Sequence, residues 1–296
     1  MADGRAATFL VVGDVIDDVL VVLDQAIRED TDTPASIRQL PGGSAANTAA
    51  WLAALGQHVA FVGAVGSEDV VRVAASMPGV EARLYAMPEP TGTIIVLVDP
   101  GDHGQHRSML TSRGANAALD LDAIDLDGFD VLHVTGHPLL QSTDGGAAFT
   151  RLIARAKAAG LVVSLDPGSA GFLADFGVER FLAAVEGVDV LLPSLDEATL
   201  LTGETLQDVI VLTLPFETVV LKLGRHGAYV RAGYGDEMVL QEVPAGRSTI
   251  VDPTGAGDAF AAGFLAAWIV DRDAVAAARA ASAVAARAVA SPGGRP

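Results

Sequence analysis

From about residue 130 the chain alternates short apolar runs with helical segments. The runs lie at 131–134, 161–165, 188–192 and 219–223, and helical patterns near 145–159 and 195–202 separate some of them. Runs of this length read as strands buried on both faces, and their alternation with helices implies a mostly parallel sheet covered on both sides. Ligands on such sheets bind outside the carboxyl ends of the strands. Acids and glycines gather there: Gly13-Asp14, Gly136-His137, Asp166-Pro167 and Gly224 each follow an apolar run. The fold class expected is a doubly wound α/β domain.

Earlier segments complete the picture. Residues 8–12 and 59–62 read as further strands, and 43–55 as a helix that starts at a glycine pair and stops at Gly56. Residues 93–98 and 106–110 read as paired strands around the turn Pro100-Gly101-Asp102. The stretches 19–40 and 93–110 break the strand–helix rhythm. They suit a small β sheet that projects from the main domain and covers a site, a lid from roughly 17–40 and 88–112. No linker divides the chain, so residues 1–296 are expected to form one domain, closed by two Ala-rich helices near 257–270 and 273–290.

Composition narrows the chemistry. The formal net charge is −18, which argues against nucleic-acid binding because phosphate backbones need a basic surface. There is no cysteine, so disulfide and thiolate chemistry are excluded. The Ala-rich stretches are interrupted well short of a membrane span, and the N-terminus lacks the pattern of a signal peptide. A soluble, cytoplasmic protein with no membrane partner is expected. The two lysines are Lys157 and Lys222, and no Gly-Lys-Ser/Thr sequence exists, so a P-loop is absent.

One segment joins two tools of phosphoryl transfer. It reads Asp252-Pro253-Thr254-Gly255-Ala256-Gly257-Asp258-Ala259-Phe260, a glycine turn that opens an apolar helix. The amides of Gly255, Ala256 and Gly257 at a helix N-terminus can hold an anionic oxygen. The Asp258 carboxylate beside them can take a proton from an attacking hydroxyl. Taken alone, Asp258 would equally suit a first-turn acid that favours the helix dipole. The upstream segment Pro41-Gly42-Gly43-Ser44-Ala45-Ala46-Asn47-Thr48-Ala49 changes that balance. It places a glycine pair at a helix entry and an amide, Asn47, on an otherwise Ala-rich helix. A buried amide needs partners, and a polyol supplies them.

Together the two segments resemble those of the ribokinase-like, or PfkB, carbohydrate kinases, and the likeness covers essentially the whole chain. Gly13 with Asp18, Gly114-Ala115-Asn116-Ala117 and Leu223-Gly224-x-x-Gly227 support it. The resemblance implies an ATP-dependent kinase that phosphorylates a hydroxyl of a sugar, nucleoside or related alcohol. It also implies a small β lid, often used for homodimerisation. Asp258 falls on the catalytic base, and Gly255, Ala256 and Gly257 on the anion hole. Asp14, Asp18, Gly42, Gly43 and Asn47 fall on positions that hold substrate hydroxyls, and Lys222, Gly224 and Gly227 on the nucleotide loop. Relatives often carry Asn-x-x-Glu at a central strand end for magnesium and phosphates. Here Glu197 matches, suiting Mg2+ through water, while Ser194 replaces the asparagine with shorter reach. Many relatives respond to monovalent cations, and Asp252 lies near the relevant loop, so K+ is a candidate.

The acceptor is less legible. The acidic balance and the Asp14/Asp18 pair favour a neutral polyol, with Asp18 preferred over Asp14. Arg107 and Arg113 keep an acidic or phosphorylated sugar open. A nucleoside is also open, although ten Phe, three Tyr and two Trp form no evident stacking cluster. A non-catalytic sugar or nucleotide sensor is the alternative of another class, but it would be marked by loss of the base or the glycine loop. An oxidoreductase would need Gly-x-Gly-x-x-Gly after an early strand, which Gly13-Asp14-Val15 does not provide.

Overall fold

A computed structural model of the protein describes residues 6–98 and 107–296. Nine strands form the main sheet: β1 (Thr8–Val12), β4 (His58–Gly66), β5 (Glu81–Met87), β8 (Val131–Thr135), β9 (Val162–Asp166), β10 (Val190–Leu191), β11 (Thr218–Lys222), β12 (Ala228–Ala232) and β13 (Val239–Val243). Their order is β13-β12-β11-β10-β9-β8-β1-β4-β5. From β5 to β11 all neighbours are parallel, and β12 and β13 add an antiparallel edge. This is the expected doubly wound α/β class. The chain leaves β1 toward β4 and β5 on one side, then returns to β8 on the other. The direction of winding therefore reverses between β1 and β8, the crevice where such sheets bind ligands.

Strand β1 shows how the core is divided. Phe9 and Val11 enter one buried cluster with α1 (Ser44–Ala54), α9 (Ala256–Asp271) and α10 (Ala274–Ala288). Leu10 and Val12 enter the other, under α4 (Ala147–Ala158) and its neighbours. The alanines of α9 and α10 let the two helices approach closely. A Cβ on Gly263 would lie 2.9 Å from Cα of Ala281.

Four further strands form a second sheet in the order β3-β2-β6-β7: β2 (Ile16–Leu23), β3 (Ala35–Gly42), β6 (Gly92–Val98) and β7 (Arg107–Ser112). The β6–β7 pairing is antiparallel, and the turn Pro100-Gly101-Asp102 lies outside the described residues. The sequence patterns missed several elements. Helices α5 (Ala170–Phe176) and α6 (Val178–Ala184) follow β9, broken apart at Gly177 with φ +98°. Helices α2 (Val70–Ala75), α3 (His137–Leu140) and α8 (Gln207–Thr213) are short, and α7 (Leu195–Thr202) lies where a helix was expected. The run 188–192 pairs as a strand at Val190–Leu191 alone. Among the described residues no helix is long and apolar enough to cross a membrane.

Candidate active site

Asp258 sits in the first turn of α9, where Gly255 caps the helix at φ +73°. The space a Cβ on Gly255 would need is filled by Gly294, whose Cα lies 2.4 Å away, so glycine is required on both counts. The Asp258 carboxylate is held at both oxygens. Ser44 Oγ donates to Oδ1 at 2.6 Å, and Asn47 Nδ2 donates to Oδ2 at 2.9 Å. Burial pushes its carboxyl up to about 7, against those two hydrogen bonds. A carboxylate with that affinity for protons at neutral pH is suited to general-base work. Of the three expected anion-hole amides, Ala256 N–H turns back to the Pro253 carbonyl at 3.3 Å. The Gly255, Gly257 and Asp258 amides open the helix beside it.

The glycine pair has a local cause. A Cβ on Gly42 would lie 2.1 Å from an Asp18 carboxylate oxygen, and one on Gly43 would lie 2.6 Å from the Asp14 carbonyl and Val15 Cα. The chain's own β1–β2 segment thus packs directly on both glycines and accounts for the absence of a side chain there. Asp14 is buried and acts as a remote cap for α1, accepting from Ser44 N at 3.3 Å, Ala45 N at 3.5 Å and Thr135 Oγ1 at 3.2 Å. Burial raises its proton affinity, but the positive charges of His137, when that ring is protonated, and of Arg113 outweigh it, with help from the α1 backbone amides, and hold the carboxyl below its usual value. Asp18 lies over Gly42, and burial together with the Asp14 charge pushes it up to about 6.

Lys222 ends β11 and pairs with the buried Asp166 at the end of β9. A Cβ on Gly257 would lie 3.5 Å from its Nζ, so the ammonium also faces the α9 turn. Burial works against its charge, yet Asp166 and Glu197 hold its affinity for protons above normal. Glu197 and Ser194 form a capping box at the start of α7: Ser194 N donates to Glu197 Oε2 at 2.7 Å, and Glu197 N donates to Ser194 Oγ at 3.4 Å. Burial and the Asp166 charge raise the Glu197 carboxyl. Gly224, Gly227 and Lys222 share a cavity of about 440 Å³ with Ala256 and Gly257, backed by Phe260 and Val289. A second cavity of about 210 Å³ lies at the β1/β8 crevice and includes Gly13, Asp14, Arg113 and His137.

Three participants escaped the sequence reading. Ser44 was quoted as part of the glycine motif without a role. Asp166 was noted after a strand, but its pairing with Lys222 is not local. Arg295 carried no motif at all. Its Nη2 donates to the Gly42 carbonyl at 2.8 Å, its Nη1 to Ser76 Oγ at 2.6 Å, and its Nε to Asn47 Oδ1 at 3.2 Å. Asp252 organises the same region, its Oδ1 accepting from Thr254 N and Oγ1 and its Oδ2 from Gly293 N.

Comparison with known proteins agrees with this fold. The sequence profile described as "pfkB family carbohydrate kinase" matches residues 6–296. The ATP-dependent ribose-1-phosphate kinase of Halopiger xanaduensis is 33% identical over 264 residues, which cover 86% of this chain and 83% of that protein. Among solved structures, the ribokinase of Arabidopsis thaliana complexed with ribose and ATP superposes with a TM-score of 0.78 at 26% identity, covering 98% of this chain and 94% of the other. The adenosine kinase of Sinorhizobium meliloti superposes with a TM-score of 0.81 at 24% identity, covering 99% and 96%.

Proposed function

The chain belongs to the pfkB family of carbohydrate kinases, phosphotransferases that act on hydroxyl groups, and on that premise we propose that it transfers the γ-phosphate of ATP to a small sugar or related polyol. The observation that carries the proposal is the Asp258 carboxylate, gripped by Ser44 and Asn47 beside helix-opening amides, next in sequence to Gly257 of the larger cavity and joined through Ser44 to Asp14 of the smaller. The larger cavity takes the nucleotide, with Gly224 and Gly227 along its loop and its phosphates directed toward Lys222 and Gly257. The acceptor lies between Asp14, Asp18, Asn47 and the Gly42-Gly43 turn. The small sheet closes over it as a lid and excludes water from the transfer.

Asp258 accepts the hydroxyl proton as that oxygen attacks the γ-phosphorus in line. The Gly255, Gly257 and Asp258 amides face the charge on the transferring group. Ser44 and Asn47 leave each carboxylate oxygen a lone pair for the acceptor. Magnesium bound with the nucleotide would neutralise phosphate charge. The donor set fits such an ion, because Mg2+ needs one or two carboxylates beside the phosphates and Glu197 and Asp166 adjoin Lys222 there. A potassium ion near Asp252 would brace the turn that carries the amides. The outer face of the small sheet carries Val19, Val21, Ile37, Ile95, Leu97 and Leu110, opposite the face of Asp18 and Leu40. A second copy of the chain covering that face would form a homodimer through the lid.

The test is Asp258→Asn. ADP release in the presence of acceptor should fall by about 10³-fold or more, while ATP binding measured by calorimetry persists. Near-normal turnover in that variant would remove Asp258 from the base role. A screen across pentoses, hexoses, sugar acids, sugar phosphates and nucleosides, with and without potassium, separates the acceptors. Silence on all of them would leave the sensor reading.

A further inference from the structure

We infer that the acceptor carries an anionic group, a phosphate or a carboxylate, and that Arg113 binds it. The inference rests on the kinase reading above and narrows its substrate. Arg113 stands where the small sheet joins the main one, directly after β7. The chain there is fixed on both sides. Gly114 is packed so closely on Pro90 that a Cβ would meet its carbonyl at 2.2 Å, and Asn116 clamps Val15 by donating to its carbonyl at 2.9 Å and accepting from its N–H at 3.1 Å. The guanidinium is therefore anchored at the mouth of the β1/β8 crevice.

Its hydrogen bonding is incomplete. Among the described residues no carboxylate forms an ion pair with Arg113, although the chain holds 37 Asp and Glu against 19 Lys and Arg. Nη2 meets His137 Nδ1 at 2.6 Å, and the guanidinium carbon lies 5.3 Å from the Phe172 ring centre. Nε is buried with no partner. A guanidinium only donates, so His137 accepts at Nδ1 and is the neutral tautomer protonated at Nε2. His137 orients Arg113 without neutralising it. A half-buried cation with an idle donor is destabilising in the free protein, and an anionic ligand offsets that through charge-assisted hydrogen bonds.

The position relative to Asp258 identifies the ligand. Ser44 touches both acids, with Oγ on Asp258 at 2.6 Å and N on Asp14 at 3.3 Å. Asp14 in turn shares the cavity of about 210 Å³ with Arg113. The order is base, Ser44, Asp14, cavity, arginine. An acceptor laid along it presents a hydroxyl to Asp258, further hydroxyls to Asp14, and an anion to Arg113. A neutral polyol would leave the guanidinium with weaker acceptors.

The experiment measures ADP release with ATP and matched acceptors: D-ribose against D-ribose 1-phosphate and D-ribose 5-phosphate, and D-glucose against D-gluconate. One anionic acceptor should exceed its neutral counterpart by about 100-fold in kcat/KM, and the arm that responds distinguishes phosphate from carboxylate. Arg113→Gln should lower that anionic-to-neutral ratio by about 10- to 100-fold. Where the neutral sugar is silent, KM for the anion should rise by the same factor. Arg113→Lys should retain part of the preference. A neutral sugar as the best acceptor of the wild-type protein overturns the inference and leaves the kinase reading standing, as does an unchanged ratio in Arg113→Gln. Silence on every acceptor overturns both.

Discussion

The side-chain amide of Asn47 donates to Asp258 Oδ2 at 2.9 Å across 211 residues of sequence. The other end of that amide accepts from Arg295 Nε at 3.2 Å. Because a guanidinium cannot accept, Arg295 fixes which end of Asn47 faces the base. Arg295→Gln frees the amide to turn its oxygen toward the carboxylate. Expected is a fall of about 10-fold in kcat with little change in KM for ATP, and about 100-fold for Asn47→Ala. The double variant should be no slower than Asn47→Ala alone, since the arginine acts through the amide. Steady-state kinetics on the four proteins decides it, and additive losses would separate Arg295 from the base.

Acid should switch the enzyme off in two steps. Burial raises Asp258 to about 7 and Asp18 to about 6. Both are proposed to work as carboxylates, so activity is present above these values and lost as pH falls. The logarithm of kcat/KM should decline with unit slope below about 7 and with a slope of two below about 6. In Asp18→Asn the second step should vanish while the first remains. A profile flat from pH 8 to 5 in the wild-type protein would contradict both assignments.

The sequence made the glycines of this site readable because backbone geometry needs them. Gly255 lies at φ +73° against Gly294, and Gly43 lies at φ +91° against Asp14 and Val15, and no other residue fits those places without strain. The parallel sheet was readable because β1, β8, β9 and β11 are largely buried and mostly apolar, with their polar residues few and placed chiefly at the strand ends. The partners of Asp258 were harder. Ser44 and Asn47 are adjacent in sequence to the glycines, but their direction depends on where α9 docks on α1. Arg295 and the Lys222–Asp166 pair are contacts between distant segments that carry no local pattern. Strand β13 was missed for a different reason: Val239, Gln241 and Glu242 are exposed, so its run lacks the apolar signal of the buried strands.

Lys222→Met should destabilise the fold. The change leaves Asp166 and Glu197, both buried, without the cation that offsets their repulsion. Breaking a buried pair from one side costs about 3–5 kcal/mol. Adding Asp166→Asn removes the stranded charge and should recover a large part of that loss. Urea unfolding followed by tryptophan fluorescence measures both. A loss below about 1 kcal/mol in the single variant would mean that solvent already screens the pair.

His133 should make the fold acid-sensitive in a way that one substitution removes. It lies fully buried on β8, with Nδ1 3.2 Å from Ser164 Oγ and Nε2 without a partner. Burial lowers its affinity for protons to about 4, against an unfolded value near 6.5. The unfolded chain therefore takes up a proton below about 6.5 that the folded chain refuses until about 4. Stability from this group is complete above 6.5 and is lost as pH falls through that window, on the order of 2–3 kcal/mol by pH 4.5. Asp258 acts in the opposite sense over a similar range, because its raised carboxyl binds a proton more readily in the folded state. A comparison of wild type with His133→Leu cancels that contribution. The variant should lose about 1 kcal/mol at pH 7.5 through the unpartnered Ser164 hydroxyl. Between pH 7.5 and 4.5 it should then lose about 2–3 kcal/mol less than wild type in urea unfolding. Equal losses in the two proteins would show that His133 is protonated in the folded state or hydrated within it.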